Sequence, residues 1–158
     1  MAEALVTKLL PFVNKTTLGQ LPEKVVHDLS LRVLDTLGIC FATYNQPYAT
    51  ALTDVVKRSS APGRCTIVGF REGYAPAGAA FANGVLSHGA EMDDCHIPSI
   101  THAGSTSLPA VLAAAEEAGA SGAECLAAAA VAYELLPRVS LSLYPQSFVE
   151  DQVVRCFS

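Results

Sequence analysis

Between residues 22 and 44 the apolar side chains Val26, Leu29, Val33, Leu37 and Cys40 return at three- and four-residue steps. That period draws one apolar stripe along a helix of about six turns, and such a stripe has to be buried against other elements. Pro22 suits the start of this helix and Glu23 its first turn, where the helix dipole favours negative charge. Asp28, Arg32 and Asp35 fall on another face, spaced for ion pairs along a solvated helix surface.

Further helical segments follow. Residues 3–14 read as a short first segment broken by Pro11. Asn45, Gln46 and Pro47 end the long helix, and 48–59 begins another, stopped by Ala61-Pro62-Gly63. A third opens near Pro76 and is expected to carry Phe81, Val85, His88 and Met92 along one side, with His88 in the core. The next is expected to be capped by Ser105, Thr106 or Ser107, to hold Pro109 in its first turn and to close at Gly119. Ser121 and Glu124 form a capping-box pattern for the last helix, which Pro137 should kink or end. Only residues 65–70 read as β-like, too short a run to found a sheet. The expectation is an all-α (mainly α) fold, a compact helical domain over 1–158.

At 158 residues, 51% of them hydrophobic, the chain is long enough to bury a core without disulfide or metal staples. Its net charge of −5, with no Lys/Arg cluster, argues against a nucleic-acid partner. Charged residues are only 16%, which suggests that part of the surface is covered by self-association. Five cysteines without a CxxC pair argue against a disulfide framework and a structural zinc site. No run is expected to reach the roughly eighteen apolar residues of a membrane span, and the start does not read as a signal peptide. The expected setting is therefore soluble and cytoplasmic. Gly69, Gly73 and Gly78 make no GxGxxG pattern, so nucleotide binding has no support.

Chemistry concentrates in one polar loop, 91–105, between two apolar helices. It holds Glu91, Asp93, Asp94, Cys95, His96, Ser99, His102 and Ser105. Loops held by rigid helices are where catalytic groups tend to sit. Adjacent carboxylates repel and can raise one pKa, and a histidine beside them titrates close to neutrality. That is equipment for moving a proton. The aspartates could equally cap a helix or solvate a turn, and Cys95 could be an inert thiol. Asp93, Asp94, His96 and His102 match no established metal-ligand spacing, so no metal is expected.

Several motifs then fall in one order: Leu21-Pro22-Glu23-Lys24-Val25-Val26, Leu34-Asp35-Thr36-Leu37-Gly38, 79–88 with Asn83-Gly84 and His88, Glu91-Met92-Asp93-Asp94-Cys95-His96, Leu108-Pro109-Ala110-Val111-Leu112, and Tyr133-Glu134. With these, the stretch 21–139 resembles the MmgE/PrpD family, leaving 140–158 as a divergent tail. The resemblance implies a helical domain that forms homodimers and pairs with a separate α/β lid, here absent, and cofactor-free lyase chemistry on small carboxylic acids. It also implies that Glu91, Asp93, Asp94, Cys95 and His102 line the active site. Cys95 stands where the family pattern has Thr, Glu91 where it has Asp, and Ala103 where a Pro follows the histidine. Arg71 and Arg138 are the basic residues expected to approach the site.

The expected function is that of a cofactor-free acid–base lyase or isomerase acting on a small-molecule substrate. His102, Asp93 and Asp94 would be the catalytic groups, with Glu91, Cys95, His96, Ser99 and Arg71 binding substrate. The competing reading is a truncated, non-catalytic homologue that acts as a dimerisation module or binds a full-length relative.

Overall fold

The apolar stripe of 22–44 lies on the inner face of one helix, α2 (Glu23–Thr43), in the computed structural model, which describes residues 5–143. Leu29 and Cys40 are buried, Val33 and Leu37 pack against the core, and Thr36, Ile39 and Thr43 extend the buried face. Before it comes α1 (Leu5–Lys15) and after it α3 (Pro47–Ser59), which begins on Pro47, where the missing N–H costs nothing. Two short antiparallel strands follow, β1 (Pro62–Thr66) and β2 (Gly73–Tyr74). The rest is α4 (Pro76–His88), α5 (Ala103–Ala118) and α6 (Gly122–Leu143). The described residues are thus mainly α, with one two-stranded ribbon.

The core has two parts. Cys40, Val56, Ile67, Tyr74, Ala82 and Leu86 centre the larger cluster, and Leu29, Leu108 and Ala129 the smaller. α4 packs most extensively on α5. Small residues permit this: Ala79, Ala82 and Ala113 are buried, and a Cβ on Gly84 would come within 3.2 Å of the Ser105 carbonyl oxygen. The buried side chains of Asn83 and Thr43 are hydrogen-bonded. The Asn83 side chain accepts from Val68 N–H (2.9 Å) and donates to the Thr66 carbonyl (2.8 Å), tying the ribbon to α4. Thr43 donates to the Leu86 carbonyl at 2.7 Å. Burial pushes the Cys40 thiol up to about 11, which leaves it inert at neutral pH.

Several local expectations need correcting. α1 runs through Pro11, and α6 runs past Pro137 to Leu143. Of the β-like run 65–70 only Cys65 and Thr66 are in a strand; Ile67 and Val68 are buried beyond it, before a turn at Gly69 with φ of 86°. On α4 the buried residues are Ala79, Ala82, Asn83, Leu86 and Ser87, so Phe81, Val85 and His88 lie on the opposite side, and Met92 is beyond the helix end. α5 starts at Ala103, ahead of the expected Ser105–Ser107 cap, and Pro109 is its seventh residue. The expected Arg32 pairing within α2 gives way to a pair with Asp94, 62 residues on. Residues 122–142 of α6, with mean hydropathy 1.3, are long and apolar enough for a membrane span by length and composition alone, contrary to the sequence expectation.

Other expectations hold. Ser121 and Glu124 form the capping box, the Ser121 N–H donating to Glu124 Oε2 at 2.8 Å and the Glu124 N–H to Ser121 Oγ at 3.3 Å. Gly119, at φ 65°, ends α5 with the paired Ala120-to-Ala115 and Gly119-to-Glu116 backbone bonds of a Schellman turn. The end of the tail, 144–158 with Cys156, lies outside the described residues.

Leu86 is fully buried in the larger cluster. Leu86→Ala should cost about 2–5 kcal/mol in urea unfolding, and the volume-matched Leu86→Met under about 1.5 kcal/mol.

Candidate active site

Two imidazoles converge on one buried carboxylate. His88 is the last residue of α4, His102 immediately precedes α5, and the intervening loop returns Asp93 between them. The Asp93 side chain is only 2% exposed. His88 Nδ1 lies 3.0 Å from Asp93 Oδ1 and 3.1 Å from Oδ2, and His102 Nδ1 lies 3.3 Å from Oδ2. The rings meet edge to face, with centroids 5.1 Å apart. Burial alone would raise the Asp93 carboxyl pKa. The Ser105 hydroxyl, the hydrogen bond from His88 and the positive potential of both imidazoles outweigh it and hold the group below the usual carboxylate range. Repulsion between neighbouring carboxylates, expected to raise one of the pair, does not govern Asp93.

A carboxylate on Nδ1 fixes the imidazole tautomer and leaves Nε2 as the working edge. Both rings line an open cleft of about 760 Å³. Its polar wall is His88, Thr101, His102, Ser105 and Thr106; Phe81, Val85, Ala110 and Leu136 are part of the apolar wall. His88 was expected in the core. Its side chain is 45% exposed because the helix face it shares with Phe81 turns toward the cleft, away from the packed alanines.

Asp94 points elsewhere. Its Oδ1 accepts the Gly104 N–H at 2.7 Å, and its Oδ2 accepts the Tyr133 hydroxyl at 2.9 Å and pairs with Arg32. It is therefore Asp93, and not Asp94, that touches His102.

The five residues read from sequence as substrate-binding are not among those lining the cleft. Glu91 is exposed, with φ of 50°. Cys95 is an exposed free thiol. His96 is exposed and holds the Ser99 hydroxyl at 2.6 Å. Ser99 is buried, shares a 2.7 Å hydrogen bond with Thr101 and accepts Ser140 Oγ on its carbonyl at 2.8 Å, so it stitches the loop to α6. Arg71 is exposed between β1 and β2. Arg138 pairs with Glu134 on the surface of α6. The sequence reading gave no site role to Ile100, Thr101 or Leu136, took Thr106 only as a cap candidate, and counted Ser105 in the polar loop and as a cap candidate without assigning it to the site. The offset of three between His102 and Ser105 on one helical start would have signalled that residue.

One ligand atom each from His88, Asp93 and His102 lies within 4.8 Å of the others, the set among the described residues that could hold a metal ion. Both Nδ1 atoms already face the carboxylate, so a cation entering there would have to displace the His88–Asp93 hydrogen bond and the His102–Asp93 contact.

The chain is similar in sequence to known proteins. The chain is 26% identical over 150 residues to a cis-aconitate decarboxylase of Aspergillus terreus, covering 92% of this chain and 31% of that protein. It is 27% identical over 144 residues to the cis-aconitate decarboxylase-like protein oryM of Aspergillus oryzae, covering 87% and 30%. The chain thus spans under a third of the length of these relatives. The profile of the MmgE/PrpD N-terminal domain matches residues 7–154, wider at both ends than the stretch 21–139 picked out by its motifs. With that match over nearly the whole chain, and the domain's helices in place, this chain belongs to the MmgE/PrpD family.

Proposed function

We propose that this domain carries the proton-transfer half of a cofactor-free lyase acting on a small organic acid, of the dehydratase or decarboxylase kind. The observation that carries the reading is Asp93, buried between the Nδ1 atoms of two imidazoles that line a cleft. His102 would take a proton from, or return one to, a substrate carbon through Nε2, while Asp93 orients the ring and stabilises its charged form. His88 would share the carboxylate and pass the proton on. Relatives named for cis-aconitate decarboxylation support the reaction class. The isomerase variant needs the same groups. Binding at the rim by Glu91, Cys95, His96, Ser99 or Arg71 has less support, since none of them lines the cleft.

We also propose self-association, as a homodimer, for which the support is apolar exposure: Leu34, Phe41, Val55 and Phe81 are exposed large hydrophobics. The four described cysteines are free thiols, in keeping with a reducing cytoplasmic setting.

Three outcomes are expected. The first concerns turnover. A panel of unsaturated and hydroxy carboxylic acids, cis-aconitate among them, incubated in D2O, should show deuterium uptake or loss of carbon dioxide or water by proton NMR. His102→Gln should reduce that turnover by about 100- to 10,000-fold while the domain still folds. His88→Gln should also reduce it, since Asp93 loses one of its two imidazoles. Full turnover in His102→Gln would remove the proposal.

The second is a pH effect on stability. Asp93 has its folded pKa depressed, so its contribution is present above the unfolded carboxyl value of about 3.9 and is lost as pH falls through the lower folded value. The melting-temperature gap between wild type and Asp93→Asn should therefore be full at pH 6 to 7 and shrink below about pH 4. A gap that widens in acid would contradict the assignment. The third is mass: light scattering at micromolar concentration should give at least twice the chain mass, and a well-behaved monomer would sink the dimer.

A further inference from the structure

We propose that Arg32 and Tyr133 are positioning residues for the acid–base pair: through Asp94 they lock the first turn of α5, and with it the ring of His102. The inference rests on the acid–base reading of His102 given above.

α5 begins without a cap of its own, because His102 occupies the N-cap position and makes no side-chain cap bond. The orphan amides at a helix start need an acceptor. Asp94, ten residues earlier in the chain, supplies it, with Oδ1 on the Gly104 N–H at 2.7 Å. A carboxylate there also sits at the positive end of the helix dipole. Gly104 leaves the room: a Cβ at that position would stand 2.9 Å from Asp94 Oδ1 and 3.3 Å from Thr36 Oγ1.

The other carboxylate oxygen is held from two distant helices. Tyr133 on α6 donates its hydroxyl at 2.9 Å, and Arg32 on α2 pairs with the same oxygen. The Arg32 guanidinium also lies over the Tyr133 ring, 5.2 Å from its centroid. Burial, and then the charge of Asp94, push the Tyr133 phenol well above its ordinary value, so it remains a donor. Residues from α2, the loop, α5 and α6 thus meet at one carboxylate, two residues from His102 along α5. An isolated exposed ion pair would fix little. This one is triply tied, and it fixes the backbone from which the His102 side chain projects toward Asp93.

The test is histidine side-chain NMR with long-range proton–nitrogen correlation, on wild type and on Tyr133→Phe, Arg32→Gln, Arg32→Lys and Asp94→Asn. His27 on α2 serves as the unaffected reference, and Arg138→Gln as a control for charge loss on α6. Wild type should show His102 in one tautomer, with its proton on Nδ1. Tyr133→Phe and Arg32→Gln should broaden or split that signal and leave His27 unmoved, with Arg32→Lys recovering part of the wild-type pattern. On a substrate found with the panel above, kcat should fall about 10- to 100-fold with KM little changed. A His102 spectrum identical to wild type in Tyr133→Phe and Asp94→Asn, with the Gly104 amide displaced, would make the clamp an ordinary helix cap and overturn the proposal. If Asp94→Asn fails to fold, Tyr133→Phe, which loses one hydroxyl, still decides. A wild type inactive on every acid would defeat the acid–base reading, whereas unchanged His102 signals defeat the clamp.

Discussion

A carboxylate taken out of water costs several kcal/mol unless it is paired and hydrogen-bonded. Asp93 is such a carboxylate, and the architecture around it is what makes its burial tolerable. One imidazole comes from the end of α4; the other, and the Ser105 hydroxyl, come from the start of α5. These groups reach a single carboxylate only if the two helices approach closely, which is where Gly84 and the buried alanines enter. The small-residue contact between α4 and α5 and the polar cluster at its end are therefore one feature. A larger side chain at residue 84 would press on the Ser105 carbonyl and spread the partners of Asp93.

Asp93 and Asp94 are neighbours in the chain with different work. One faces the imidazoles and the other the N-terminus of α5, so each negative charge has its own positive partners. Both positive features belong to the same short stretch, His102 to Ser105. The backbone there is held by Asp94 while its side chains serve Asp93. Positional precision in such a site comes from the supporting contacts as much as from the reacting groups. Arg32 and Tyr133, remote in sequence, belong to that support.

How much of this could be read from residues alone follows from the range of the interactions. The stripe of α2, the capping box at Ser121 and the stop at Gly119 are local and were legible, because periodicity and turn chemistry act within a few residues. The loop 91–105 was legible as chemistry because its composition departs from its apolar flanks. The pairing within it was not. Nothing local distinguishes an aspartate facing an imidazole from one facing a helix terminus, and Asp94 finds Arg32 across 62 residues. The start of α5 was misjudged for the same reason: the serines and threonine near it satisfy the local capping rule, while the acceptor that caps it comes from ten residues earlier. His88 was misread through the apolar look of α4, whose alanines form the packed face and leave Phe81, Val85 and His88 to the cleft.

The electrostatics of the cleft bear on what it can hold. Among the described residues that line it there is no lysine or arginine. With both rings neutral, His88, Asp93 and His102 together carry one negative charge; with one ring protonated they are neutral, and with both they are positive. A substrate carboxylate about 4 Å from an uncompensated Asp93 would be repelled by about 4 kcal/mol at an effective dielectric near 20. Positive charge beside Asp93 would offset that repulsion. In the reading proposed above, an acid with one carboxylate at the polar wall and an apolar remainder along Phe81, Val85 and Leu136 would suit the described lining. Under that proposal, each further carboxylate would call for a cation that the described lining does not supply.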